Sequence, residues 1–128
     1  ELELETLNAR RSEGLYRTSK ERREHPTLEF LYRSAGPVWY RGMVCADEKY
    51  DPLTPEQTDA LLRRYDADRL LVGHTIFPDI STFHDGRVIA VNVQNELNRR
   101  KNRGRAVLIE GSRISVVGNR GVKRVLEE

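Results

Sequence analysis

The stretch LLVGHTIFPDISTFHDGRVIAVNV, residues 70–93, decides how the chain is read. Leu70, Leu71 and Val72 form a short apolar run that ends at a glycine, the pattern of a buried strand. Further on, Asp85-Gly86 separates two β-favouring segments, Ile80–His84 and Arg87–Val93. That dipeptide between apolar runs is a strong local hairpin signal, because both residues tolerate the positive φ that a tight turn requires. Ala106–Ile109 and Ile114–Val117 flank Gly111-Ser112 and predict a second hairpin. From about residue 68 onward the expected grammar is a meander of antiparallel strands.

Upstream of this region the signals are helical. Thr54, Pro55 and Gln57 predict a helix start, with a hydroxyl to accept early backbone N–H groups, a proline suited to the first turn and a glutamine to close a capping box. Pro26 to about Ser34 predicts a short helix with Leu28, Leu31 and Tyr32 on one face, stopped by Gly36-Pro37. Residues 1–26 are highly charged, with Leu2, Leu4 and Leu7 as early apolar anchors, and read as a helical connector. The expected division is therefore residues 1–26 as connector and 27–128 as the folded part. The class is α+β. A buried strand at 70–72 needs neighbours and cover, and two short helices are thin cover, so the layout suits the closing section of a larger sandwich.

Composition narrows the function. The 128 residues carry a net charge of +2, with 33% charged and 38% hydrophobic residues, so nothing demands a polyanionic partner. Cys45 is the only cysteine, which leaves no internal disulfide and favours the cytoplasm. No apolar run reaches the ~18 residues needed to span a bilayer. The chain begins at Glu1 and Met43 is its only methionine, so a preceding N-terminal part is expected.

Two places carry possible chemistry. Val72-Gly73-His74-Thr75 puts an imidazole at a strand end, where the backbone is fixed and the side chain faces a crevice. Histidine there suits a divalent metal such as Mn, Fe or Zn, although such a residue is commonly just hydrogen-bonded. Trp39-Tyr40-Arg41 sets a guanidinium beside aromatic rings, a fork suited to phosphate, although Trp39 could equally be a core anchor. His25 and His84 receive no role. The run Arg99–Arg105 holds five basic residues among seven and reads as a solvated connection. The alternative is an interaction module or non-catalytic remnant that binds nucleic acid through this run. That is disfavoured because no aromatics are interleaved for base stacking.

In this order, Trp39-Tyr40-Arg41, a helix, Gly73-His74-Thr75 and Phe83 through Ala90 resemble the C-terminal part of the bacterial-type, Shewanella-like serine/threonine phosphoprotein phosphatases. These belong to the calcineurin-like metallophosphoesterases. The resemblance covers about residues 28–126. It implies a β-sandwich flanked by helices, with two divalent metal ions (Mn, Fe or Zn). His74 would be a ligand to one metal, Arg41 would contact the substrate phosphate, and the substrate would be a phosphorylated protein or small phosphate ester. The family's remaining ligand motifs and its general acid do not occur here. The resemblance therefore implies no catalytic residue within this chain, a missing N-terminal half and a fragment inactive alone.

Overall fold

The computed structural model describes residues 4–127. The chain divides into two compact units, residues 1–52 and 53–128.

The first unit is helical, with α1 (Leu4–Leu15), α2 (Ser19–Glu24) and α3 (Pro26–Tyr32). Thr18 starts α2 through a reciprocal cap. Its hydroxyl accepts from the Glu21 N–H at 3.3 Å, and its own N–H donates to the Glu21 carboxylate at 2.7 Å. Pro26 occupies the first position of α3, and Leu28 and Leu31 are buried. Helix α1 has little apolar surface to bury, and a local lock holds it. The Tyr32 hydroxyl donates to the Arg11 carbonyl, while the Tyr32 ring lies where a Cβ on Gly14 would be. Arg22 closes the lock, donating from Nε to the Gly14 carbonyl at 2.7 Å with its guanidinium 4.2 Å from the Tyr32 ring centre. Within the span expected as a connector, the described residues form α1 and α2, and the Tyr32 and Arg22 contacts tie α1 to α3.

The second unit opens with α4 (Pro55–Arg64), whose predicted capping box is present. Gln57 N–H donates to Thr54 Oγ1 at 3.2 Å, and Thr54 N–H donates to Gln57 Oε1 at 2.8 Å. Strands β1 (Leu70–Val72), β2 (Ser81–Phe83) and β3 (Val88–Ala90) follow. They form one sheet in the order β1-β3-β2. After α5 (Asn95–Arg100), strands β4 (Ala106–Glu110), β5 (Arg113–Gly118) and β6 (Gly121–Glu127) make a second sheet in sequence order.

The second sheet is the antiparallel meander expected, turning at Gly111-Ser112 with Glu110 opposite Arg113. The first is mixed. β2 and β3 are antiparallel, but β1 pairs with β3 in parallel, Leu71 opposite Ile89. This corrects the purely antiparallel reading. β2 takes one side of β3 through a hairpin, and β1 takes the free side by a crossover. The arrangement buries Val88, Ile89 and Ala90 completely, as a central strand covered on both faces requires.

The core joins Ile80, Ile89 and Val93 to Ile114 and Val116, with Val91, Val107 and Leu126 packed around them. The molecule is α+β with mixed helices and two small three-stranded sheets. That does not specify the helix-flanked metallophosphoesterase sandwich expected from the motifs. The basic run is not simply a connection either. Arg99 and Arg100 close α5, where cations favour the helix C-terminus, and Glu96 holds Arg100 at 2.5 Å one turn apart. Among the described residues no helix is long and apolar enough to cross a membrane.

Candidate functional site

Arg41 and His74 lie in different units. Arg41 follows a chain of turns that begins after α3 ends at Tyr32, with the Gly36 N–H donating to the Arg33 carbonyl at 2.9 Å. The Arg41 carbonyl then accepts from the N–H groups of both Val44 (3.0 Å) and Cys45 (2.9 Å), which fixes its backbone. The half-buried guanidinium sits among aromatic rings, 6.0 Å from the Trp39 ring centre and 5.7 Å from that of Tyr50. Nη1 donates to the Tyr50 hydroxyl at 3.3 Å.

Tyr50 belongs to a single 3-10 turn, Glu48–Tyr50, capped by the Asp47 carboxylate accepting from the Lys49 N–H at 3.1 Å. Lys49 lies 5.0 Å from the same ring and pairs with Asp47 at 2.7 Å. The turn is anchored by the Tyr40 hydroxyl, which donates to the Asp51 carbonyl at 3.0 Å. Burial, and secondarily the Asp51 charge, push the Tyr40 phenol above its ordinary value, so it stays a neutral donor. Gly42 is required beneath this contact, since a Cβ there would run into the Tyr40 hydroxyl. Trp39 is 46% exposed, so it is a surface ring beside the guanidinium and not a core anchor. The arrangement is a cation-rich aromatic platform that can receive an oxyanion through an oriented fork.

His74 stands just past β1. The strand is fixed by the Leu70 N–H donating to Arg87 O and by the Val91 N–H donating to Val72 O, each at 2.9 Å. The chain then makes a tight turn closed by the Thr75 N–H to the Gly73 carbonyl at 2.9 Å. His74 is the middle residue of that turn, exposed, with φ of +70°. A positive φ inside a bond spanning two residues is the rarer, strained form of γ-turn. For a non-glycine residue such strain costs about 1–3 kcal/mol and concentrates at functional positions. Phe77 returns to the sheet immediately after, its N–H donating to Asn92 O at 2.9 Å in a parallel bridge with Val93.

The other histidines fall elsewhere. His25 is the exposed junction of α2 and α3, and His84 is in the β2–β3 turn with φ of +51°. That turn is four residues, His84 to Arg87, longer than the Asp85-Gly86 pair alone suggested. Sequence reasoning missed Tyr50 and Lys49. The aromatic and the basic residue beside Asp47 were the available signal, but nothing local ties them to a guanidinium eight and nine positions earlier.

No family model matches the chain, and no curated protein does. Solved structures do. A cold-active protein tyrosine phosphatase matches over 97% of this chain with a TM-score of 0.68 and 24% identity. The cold-active protein-tyrosine phosphatase of a psychrophile, Shewanella sp., matches over 98% at the same TM-score and 25% identity. The likeness is one of fold. The chain spans about a third of the length of those structures, 34% and 35%.

These findings correct the sequence reading in two respects. The structures that share this fold are described as protein tyrosine phosphatases, so the resemblance to serine/threonine metallophosphoesterases is not upheld. The pair of divalent metal ions is withdrawn with it. Among the described residues no group of three or more His, Cys, Asp or Glu could hold a metal ion, so His74 belongs to no such group there. Neither the fold nor the comparisons support inactivity of the chain alone or a missing half that is specifically N-terminal.

Proposed function

We propose that this chain belongs to a phosphoric ester hydrolase acting on a phosphorylated protein, with phosphotyrosine as the favoured ester. The observation that carries the reading is the fold likeness to protein tyrosine phosphatases along nearly the whole chain. The platform around Arg41 supports it. A guanidinium fork held by Tyr50 can bind two phosphate oxygens at once and spread the charge that grows on them as the ester bond breaks. A small phosphate ester would satisfy the same fork, since the contacts are with phosphate.

In this reading water adds to phosphorus, the ester P–O bond breaks, and the leaving oxygen takes a proton. His74 is proposed as the proton-carrying group. Its exposed place in a strained turn supports that role. Arg41 is proposed as the phosphate contact.

Binding of the product tests the two residues without requiring turnover. Inorganic phosphate titrated into the protein should shift the side-chain nitrogen resonances of Arg41 and, read separately, those of His74, each saturably. Arg41→Ala should weaken the binding about tenfold or more, in line with losing a charge-assisted bidentate contact. Phosphate that shifts neither resonance up to tens of millimolar would overturn the assignment of both residues.

A further inference from the structure

A second concentration of positive charge lies in the unit formed by residues 53–128, independent of Arg41 and His74. Lys101, Asn102, Arg103, Arg105, Asn119 and Arg120 line an open hollow of about 410 Å³. Among the described residues no carboxylate and no aromatic ring lines it.

Four cations around one concavity repel one another, so something must hold them there. Asn119, in the β5–β6 turn, does this. Its Oδ1 accepts from the Gly104 N–H at 2.8 Å, and its Nδ2 donates to Asn102 Oδ1, stitching the loop after α5 to the turn that carries Arg120. Gly104 permits the approach, since a Cβ there would run into the Asn119 amide oxygen. Asn102 turns the chain with φ of +49°.

Two of the guanidiniums are fixed from behind. Arg103 donates from Nε and Nη2 to Oδ1 of the buried Asn98, at 3.2 and 3.1 Å. Arg105, whose side chain is only 12% exposed, holds Asp79 with Nε 3.0 Å from each carboxylate oxygen, and its Nη1 donates to Gly104 O at 2.8 Å. Asp79 neutralises Arg105. Among the described residues, Lys101, Arg103 and Arg120 pair with no carboxylate. What is left is an oriented, uncompensated charge of three cations, with little side-chain freedom to lose at Arg103.

We propose that this hollow is a binding site for clustered phosphate groups, as carried by a polyphosphate ion or a multiply phosphorylated peptide. Arginine forks and amide N–H₂ groups match phosphate oxygens. The volume suits a few linked phosphates. The lack of a ring among its described lining residues leaves no platform for base stacking, which disfavours a nucleic acid.

The test is titration of tripolyphosphate, and separately of a doubly phosphorylated peptide, into the full chain, followed by amide NMR. Tripolyphosphate should shift Asn102, Gly104, Asn119 and Arg120, and its affinity should fall at least about tenfold between low and physiological salt. Arg120→Gln, at an exposed turn position, should leave the fold intact and weaken binding several-fold. Lys101→Gln combined with it should weaken binding further. If only the peptide binds there, the source is a phosphoprotein; if both bind, the site reads linked phosphates alone. Tripolyphosphate and peptide that shift none of these amides would overturn the proposal. So would a short single-stranded oligonucleotide that binds more than about tenfold tighter than tripolyphosphate.

Discussion

Replacing Ile89 by alanine probes whether the mixed sheet is built as described. Ile89 is the middle residue of β3, opposite Leu71 on one side and Thr82 on the other, and only 1% exposed. It packs in the cluster with Ile80, Val93, Ile114 and Val116. Truncation forfeits about 2.4 kcal/mol of transfer energy at ~0.8 kcal/mol per lost methylene. The residual cavity, with neighbours held by two sheets, brings the expected loss to about 3–4 kcal/mol, inside the usual range for such changes. A small unit has about 5–15 kcal/mol to lose, so the variant should fold but open far more readily.

Hydrogen exchange at the β3 and β5 amides reads this unit directly. Their opening free energies should both drop by about 3 kcal/mol. Ile89→Val should cost only ~1 kcal/mol, and Ile76→Ala, at a side chain 60% exposed, less than about 0.5 kcal/mol. A loss below about 1 kcal/mol for Ile89→Ala would mean that β3 is not the covered central strand, and the core assignment would fail.

Three further outcomes follow from particular contacts. Thr54→Ala removes the hydroxyl that caps α4 and should cost ~1 kcal/mol, read as lost exchange protection in that helix. His74→Gly relieves the positive φ and should stabilise the second unit by about 1 kcal/mol while lowering phosphate affinity; no gain in stability would show that the turn is unstrained. Asp79 is held below its ordinary value: burial pushes it up, but the Arg105 bond and the Ile80 N–H outweigh that. The stability it contributes is therefore present above the ordinary carboxylate range and lost as the pH falls through the depressed folded value. In a carboxyl NMR titration, Arg105→Gln should move the Asp79 midpoint upward.

Legibility in the sequence followed the range of the interactions. The α4 start needed only Thr54, Pro55 and Gln57, all within one turn, and it formed as expected. Gly111-Ser112 needed only its flanking strands. The parallel pairing of β1 with β3 passes over β2 and has no local signature, so reading neighbours as partners gave the wrong sheet. Strand β6 escaped notice because its apolar residues, Val122, Val125 and Leu126, do not alternate and are interrupted by Lys123 and Arg124, which looks like solvated charge. Of the candidate site, Arg41 beside Trp39 was readable from adjacency. Tyr50 was not, because it arrives through a separate turn. The strain at His74 belongs to φ alone and leaves no trace in residue types.

The most direct test is release of phosphate from a phosphotyrosyl peptide by the intact gene product that contains this chain, with the Arg41→Ala variant prepared alongside. The account predicts turnover by the parent and a loss of about a hundredfold or more in kcat/KM for the variant, the scale of removing one preorganised transition-state donor. A folded parent protein that releases no phosphate, or a variant that matches its parent, would contradict it.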